Sequence, residues 1–260
     1  RSITINFGID LRLMTTLINF DIKHGLGNDF MVINGLEQPL PSPEQMSRLS
    51  DRHCGIGFDQ LLYITASADE SVDFHYQIFN ADGSEVEQCG NGVRCVAAFI
   101  KRHQLSNKTT LKLTCLAGDI ITHFTDDGQV KVNMGCLKRP IDVVTITPFV
   151  NQTFSLISID VGNPHAILFV DDIYHFELEK LGKWCNASSQ FPHGVNLEIV
   201  AITSGEQIDI RVFERGVGET MACGSGACGA VAVGQIQEKL GRDVQVDLPG
   251  GSLRIRWQGP

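Results

Sequence analysis

The chain has 260 residues, 43% of them apolar, and a formal net charge of −9. Such a length and composition can bury a large core, in one big domain or two of ordinary size. The acidic balance argues against nucleic acid or an anionic membrane surface as a partner, and no apolar run approaches the roughly 20 residues of a membrane-spanning helix.

Residues 1–20 lack the form of a signal peptide, because Asp10 and Arg12 break the apolar stretch. Met14 is the expected start, with 1–13 a leader outside the fold, and a cytoplasmic protein is expected. INFDIKHGLGNDFMVIN (18–34) reads as strand, turn, strand, its two apolar runs flanking the turn formers from His24 to Asp29. PSPEQMSRLSDRH (41–53) has a helix start, with Ser42 as cap, Pro43 at the first position and Glu44 behind it. Residues 54–66 return as loop and strand, with polar Gln60 directly before the apolar run. VDFHYQIFNADGSEVEQ (72–88) is a strand that turns at Asp82-Gly83 and delivers the chain to Cys89.

The segment 109–134 alternates around Gly118 and Asp127-Gly128, which predicts hairpins. Near 134–145 the pattern restarts. Residues 154–170 are strand, loop, strand, with Gly162-Asn163-Pro164-His165 at the turn. A helix over 175–188 follows, then the strand in FPHGVNLEIVAI (191–202), and then a strand and loop over 208–226 leading to Cys223. A helix over 227–239 and a closing hairpin over 244–257 complete the chain. The fold class is α+β: two similar domains, 14–134 and 135–260.

Two stretches carry the chemistry. CGNGVRCVAAFI (89–100) and CGSGACGAVAVG (223–234) each pass from a cysteine through Gly-x-Gly to a second cysteine and an apolar run. Each offers a thiol at the start of a helix. A helix N-terminus has unpartnered N–H groups and a partial positive charge, which favour a thiolate and a bound carboxylate, so a cysteine there is expected to titrate lower than a free one. Two such helix starts meeting across a cleft would grip one carboxylate and set a sulfur on each face of its α-carbon. The thiolate takes the α-proton and the opposite thiol returns one, inverting the centre without a cofactor.

Other readings fit less of the chain. Gly224 to Gly229 formally matches GxGxxG, yet the long loop before it and the absence of βαβ succession are the wrong context. A hydrolase with Cys223 as nucleophile and His165 as base leaves the first motif idle, and packing alone poorly explains cysteine at the same position twice. The eight cysteines are expected as free thiols, and their spacing suits no structural zinc site. Cys54, Cys115, Cys136 and Cys185 read as buried small apolar residues.

From Phe20 to Pro260 the sequence resembles the diaminopimelate epimerase family. The resemblance lies in HGLGNDF (24–30), DRHCGIGFDQLL (51–62), FNADGSEVEQCGNGVRC (79–95), GNPH (162–165) and ERGVGETMACGSGAC (214–228). It implies a pyridoxal-independent isomerase that interconverts LL- and meso-diaminopimelate on the lysine and peptidoglycan route, with no cofactor and no metal. It also implies two pseudo-symmetric domains, each a barrel-like, mostly antiparallel sheet around a central helix, and a homodimer.

By position, Cys89 and Cys223 match the catalytic thiols, and Gly90, Asn91, Gly224 and Ser225 match the cradle for the α-carboxylate. Asn28, Asn80, Asn163, Asn196 and Arg215 match the residues that hold the distal centre, and Gln60 matches a further substrate contact. Glu214 and His165 match residues beside the thiols. Gly229 stands where the family usually has alanine. The family also continues beyond Pro260 through a strand that packs on the first domain and joins the dimer contact, so a weakened dimer is expected. The alternatives are a proline racemase-like two-cysteine enzyme, disfavoured because the asparagines and Arg215 would have no second head group to bind, and a non-catalytic thiol redox or metal-binding protein.

Overall fold

The hairpin expected over 18–34 forms as β1 (Phe20–Gly25) and β2 (Asn28–Asn34), antiparallel and in register from Phe20–Ile33 to Gly25–Asn28. This computed structural model describes residues 17–86, 89–137 and 141–259; the leader 1–13 lies outside the described residues. Next come α1 (Pro43–Ser50), β3 (Gln60–Thr65), β4 (Phe74–Asn80), β5 (Glu85–Val86), α2 (Gly90–Arg102), β6 (Thr110–Cys115), β7 (Gly118–Phe124) and β8 (Val130–Asn133). Helix α1 begins as its sequence dictates. Ser42 accepts from the Gln45 N–H, the Gln45 side chain accepts from the Ser42 N–H, and Pro43 occupies the first turn.

The second half comprises β9 (Asp142–Phe149), β10 (Gln152–Asp160), β11 (Pro164–Phe169), α3 (Leu178–Ala187), β12 (Asn196–Ser204) and β13 (Gln207–Glu214). It ends with β14 (Gly218–Thr220), α4 (Gly224–Ile236), β15 (Asp243–Leu248) and β16 (Gly251–Arg256). Its sheet repeats the connectivity of the first. Strands β2 and β3, like β11 and β12, pair in parallel, and so do β4 with β6 and β13 with β15. The remaining ladders are antiparallel hairpin partners. Each half adds one strand of its own, β8 at the edge of the first sheet and β9 at the edge of the second.

Each sheet curls around one helix. The apolar stripe Val93, Val96, Ala97 and Ile100 of α2 has helical spacing and packs against Phe30, Leu62, Tyr76, Ile78, Leu111 and Leu113. Helix α4 is buried nearly all round through Ala227, Ala230, Val231 and Val233. Small residues let the second sheet close over it. Burying a side chain such as Ile100 contributes about 1.5–3 kcal/mol. Helices α1 and α3 cover the opposite sheet faces, through clusters around Met46 and Leu181. The chain therefore has the expected α+β architecture, two pseudo-symmetric sheets each around a central helix.

Two local expectations are corrected. Helix α4 starts at Gly224, not 227, because Cys223 is extended (φ −129°, ψ 115°) and its sulfur accepts from the Gly226 N–H. That cap offsets the poor helix propensity of the glycines. Cys54 and Cys136 are exposed while Cys115 and Cys185 are buried. The exposed pair lie on connecting segments after α1 and β8, outside any packed face. No described helix is long and apolar enough to cross a membrane.

Candidate active site

The two central helices point their N-termini at one another. A Cβ built on Gly90 would stand 3.7 Å from the Gly224 Cα, and the converse distance is also 3.7 Å. A cleft of about 750 Å³ opens where they meet, lined by both halves. Cys89 and Cys223 both line it, each as the N-cap of its helix. Each sulfur accepts a hydrogen bond from the backbone three residues on, Gly92 N to Cys89 Sγ at 3.3 Å and Gly226 N to Cys223 Sγ at 3.4 Å. The first N–H groups of a helix have no partner within it. Here they belong to Gly90, Asn91, Gly224 and Ser225, which line the cleft. This is a cradle suited to a carboxylate.

The Asn91 side chain has a second task. Its Nδ2 donates 3.2 Å to the Ala222 carbonyl in the other half, and its Oδ1 accepts from Arg94 at 2.7 Å. It pins α2 to the loop before Cys223, leaving only its backbone for a ligand.

The walls are built on equivalent strand ends. Gln60 and Asn80 pair across β3 and β4, and the Gln60 amide donates 3.1 Å to Asn80 Oδ1. One residue beyond the Leu197–Phe213 pair, Asn196 and Glu214 hold the same two places in the second half. Asn28 and Asn163 each precede by two residues the strand position in register with Gln60 or Asn196. Asn28, Gln60, Asn80, Asn163 and Glu214 all line the cleft.

Three of the expected residues do not. His165 has no exposed surface; its Nδ1 lies 2.7 Å from Glu198 Oε1 and its Nε2 2.9 Å from Asn163 Oδ1. It touches the cleft only through Asn163. Asn196 is buried and accepts from the Arg215 backbone N–H at 2.8 Å. The Arg215 guanidinium donates 2.8 Å to the His193 carbonyl, away from the lining residues.

Burial decides the thiol chemistry, against the expectation of a lowered value. Cys89 is pushed up from its usual 9.0 to about 12 by desolvation, and Glu214 adds to this against the Gly92 and Asn91 N–H groups. Cys223 is also raised, first by burial and then by Glu214 and Glu198. The helix terminus is present, but a thiolate held away from water next to carboxylates costs more than a few N–H dipoles return. Glu214 is itself raised by burial, with Glu198 adding, while the Thr220 hydroxyl that donates to it at 2.6 Å opposes the shift. One carboxylate thus faces both sulfurs.

A model of the diaminopimelate epimerase family matches residues 20–139 and 157–260. The chain belongs to the diaminopimelate epimerase family. Its fold is shared by solved structures of low sequence identity. A hydroxyproline epimerase from Agrobacterium vitis aligns at 13% identity over 92% of this chain and 84% of its own, with a TM-score of 0.70. A probable proline racemase from Agrobacterium radiobacter K84 aligns at 14% identity over 92% and 84%, with a TM-score of 0.67. A phenazine biosynthesis protein of the PhzF family from Bacillus anthracis aligns at 13% identity over 91% and 88%, with a TM-score of 0.65. These likenesses show a shared fold.

The motifs that mark the family also hold residues that sequence reasoning passed over. Asp59 and Arg52 stand within DRHCGIGFDQLL. Asn28 Nδ2 donates to Asp59 Oδ2 at 3.0 Å, and Arg52 bridges Asp59 to Asp29 with contacts of 2.8–2.9 Å. This cluster fixes the Asn28 amide at the rim. Thr220, which holds Glu214, lies within ERGVGETMAC. Glu198 is a single acidic residue within the apolar run VNLEIVAI; that interruption was its only signal.

Proposed function

We propose that this chain interconverts LL- and meso-diaminopimelate by proton transfer between two thiols, without a cofactor. The observation that carries the reading is the pair Cys89 and Cys223, each capping one of two abutting helices in a single cleft with Glu214 beside both. The substrate α-carboxylate sits on the N–H groups of Gly90, Asn91, Gly224 and Ser225, which also stabilise the charge that develops on it when the α-proton leaves. One sulfur, as thiolate, takes that proton, and the other, as thiol, gives its own to the opposite face. The two thiols end with their protonation states exchanged. The substrate ammonium, held near Glu214, offsets the carboxylate that disfavours both thiolates. Asn28, Gln60, Asn80 and Asn163 supply amide donors and acceptors for the distal amino-acid head.

A second reading has its own observation. Arg215 and Asn196, which match distal-centre positions in the family, do not line the cleft, so a smaller substrate with one head group, such as a cyclic imino acid, also suits this site. Incubation with LL-diaminopimelate in heavy water decides between them, with proline and hydroxyproline as parallel substrates. Deuterium at the α-carbon together with meso product supports the first reading. Exchange and inversion of proline or hydroxyproline alone supports the second. Exchange with none of the three by the reduced, folded protein rejects both.

A further inference from the structure

The pseudo-two-fold relation of the halves makes each residue near one thiol comparable with one near the other, and at one place the match fails. Beneath the first turn of α2, a Cβ on Gly92 would meet Leu62 Cδ2 at 3.2 Å and Phe30 Cε1 at 3.4 Å. Beneath the first turn of α4, a Cβ on Gly226 would stand 3.0 Å from Glu198 Cδ and closer still to its Oε1. The strand registers make these residues equivalent. Phe30 is in register with Gln60 and Val32 with Leu62; His165 is in register with Asn196 and Ile167 with Glu198. Where the first half has Phe30 and Leu62, the second has His165 and Glu198.

Both members of that polar pair are fully buried. Glu198 Oε1 is 2.7 Å from His165 Nδ1, and Glu198 Oε2 is buried with no hydrogen-bond partner. An unsatisfied buried carboxylate oxygen costs stability and does not improve packing. The equivalent Leu62 fills the matching place in the first half with an apolar side chain. The pair therefore calls for a reason beyond the core.

We infer that Glu198 is a positioning residue that makes the two thiols inequivalent: its carboxylate, held under the α4 N-terminus by His165, keeps Cys223 as the thiol while Cys89 serves as the first base. The inference deepens the two-thiol reading above and rests on it. Glu198 acts in two ways. It opposes the positive end of α4 at the turn whose N–H caps Cys223, an effect with no counterpart at α2. Its Oε1 also lies 2.7 Å from His165 Nδ1, in a contact that orients the ring whose Nε2 lies 2.9 Å from Asn163 Oδ1 at the cleft wall.

The other groups facing the sulfurs do not reverse this ordering. Glu214 of β13 faces both. Ser225 of α4 lies 3.4 Å from Cys223, and Asn28 of β2 accepts from Cys89 at 3.8 Å. Burial and Glu214 raise both thiols, and Glu198 adds only to the rise at Cys223 among the causes that dominate there.

The test is alkylation of the reduced protein by iodoacetamide from pH 7 to 10, with each cysteine followed separately by peptide mass spectrometry. Wild type, Glu198→Gln and Glu198→Leu are compared, with circular dichroism confirming the fold. Cys223 alkylation should accelerate by about tenfold or more in both variants, as expected for removal of one nearby charge, while the Cys89 rate stays unchanged. The isosteric Glu198→Gln carries the test if Glu198→Leu fails to fold. Unchanged Cys223 rates in a folded variant, or equal acceleration of both thiols, would overturn the inference. Because labelling needs no substrate, failure of the proposed function shows separately, as absence of turnover in the wild type.

Discussion

Gly90 and Gly224 face each other across the pseudo-two-fold relation so closely that a side chain on either would reach the other's α-carbon at 3.7 Å. This approach brings two helix N-termini, one from each half, to a single ligand-sized space. Under the proposed function, any side chain there would intrude on the space assigned to the substrate carboxylate.

The thiols are the first point of attack. Cys89→Ser and Cys223→Ser should each lower epimerisation by roughly 10²–10⁴-fold, the range of a lost general acid or base. Serine is a good N-cap, so the melting temperature should move by no more than about 3 °C. Full turnover in either folded variant would mean that the proton does not travel through that sulfur.

At the cleft rim, Asp59→Ala removes the acceptor of the Asn28 amide and one of the two carboxylates that hold Arg52, leaving Asp29. These contacts are largely exposed, so stability should change by about 1 kcal/mol or less. KM should rise about threefold, with kcat nearly unchanged, if Asn28 orients a non-reacting part of the substrate as proposed. A fall in kcat at constant KM would instead place this cluster in the proton-transfer step.

Two glycines of α4 should respond in opposite directions. Gly226→Ala drives a Cβ into Glu198 and should cost about 1–3 kcal/mol through overpacking. At Gly229 the nearest contact of an added Cβ is Ile159 Cγ2 at 3.4 Å, an ordinary separation. Gly229→Ala should therefore gain roughly 0.5–1 kcal/mol from helix propensity. Urea unfolding of both variants checks the pair. A stabilised Gly226→Ala beside a destabilised Gly229→Ala would mean that α4 shifts in its sheath.

Alkaline pH should weaken the fold through its buried thiols. Cys95 and Cys185, both buried, are raised from 9.0 to about 11 and about 12 by burial. The unfolded chain loses these protons first, so their contribution is complete below pH 9 and declines as pH climbs towards 12. The urea midpoint should fall between pH 9 and 11, and Cys185→Ala should flatten that fall relative to its own value at pH 7. A midpoint independent of pH over this window would show that the thiols meet water in the folded state.

Much of the architecture was legible along the chain because it is written in local chemistry. The turn formers at His24–Asp29, the Ser42 and Pro43 helix start, and the hairpins at Gly118 and Asp127-Gly128 all act within a few residues. The duplicated cysteine motif marked both central helices, since its small residues and its cap are contiguous. The start of α4 was misplaced by three residues, because a sulfur cap overrode the weak propensity of its glycines.

The sequence by itself thus determined the two sheets, their central helices, the two thiols and the amide-rich strand ends. Only the tertiary structure decided which of these groups meet. Strand register brings His165 against Glu198 over 33 positions of chain and buries both, while the Arg215 guanidinium turns to the His193 carbonyl. Desolvation likewise reverses the thiol acidity that a helix N-terminus alone would confer. Burial and long-range pairing are sums over residues remote in the chain, so no local motif contains them.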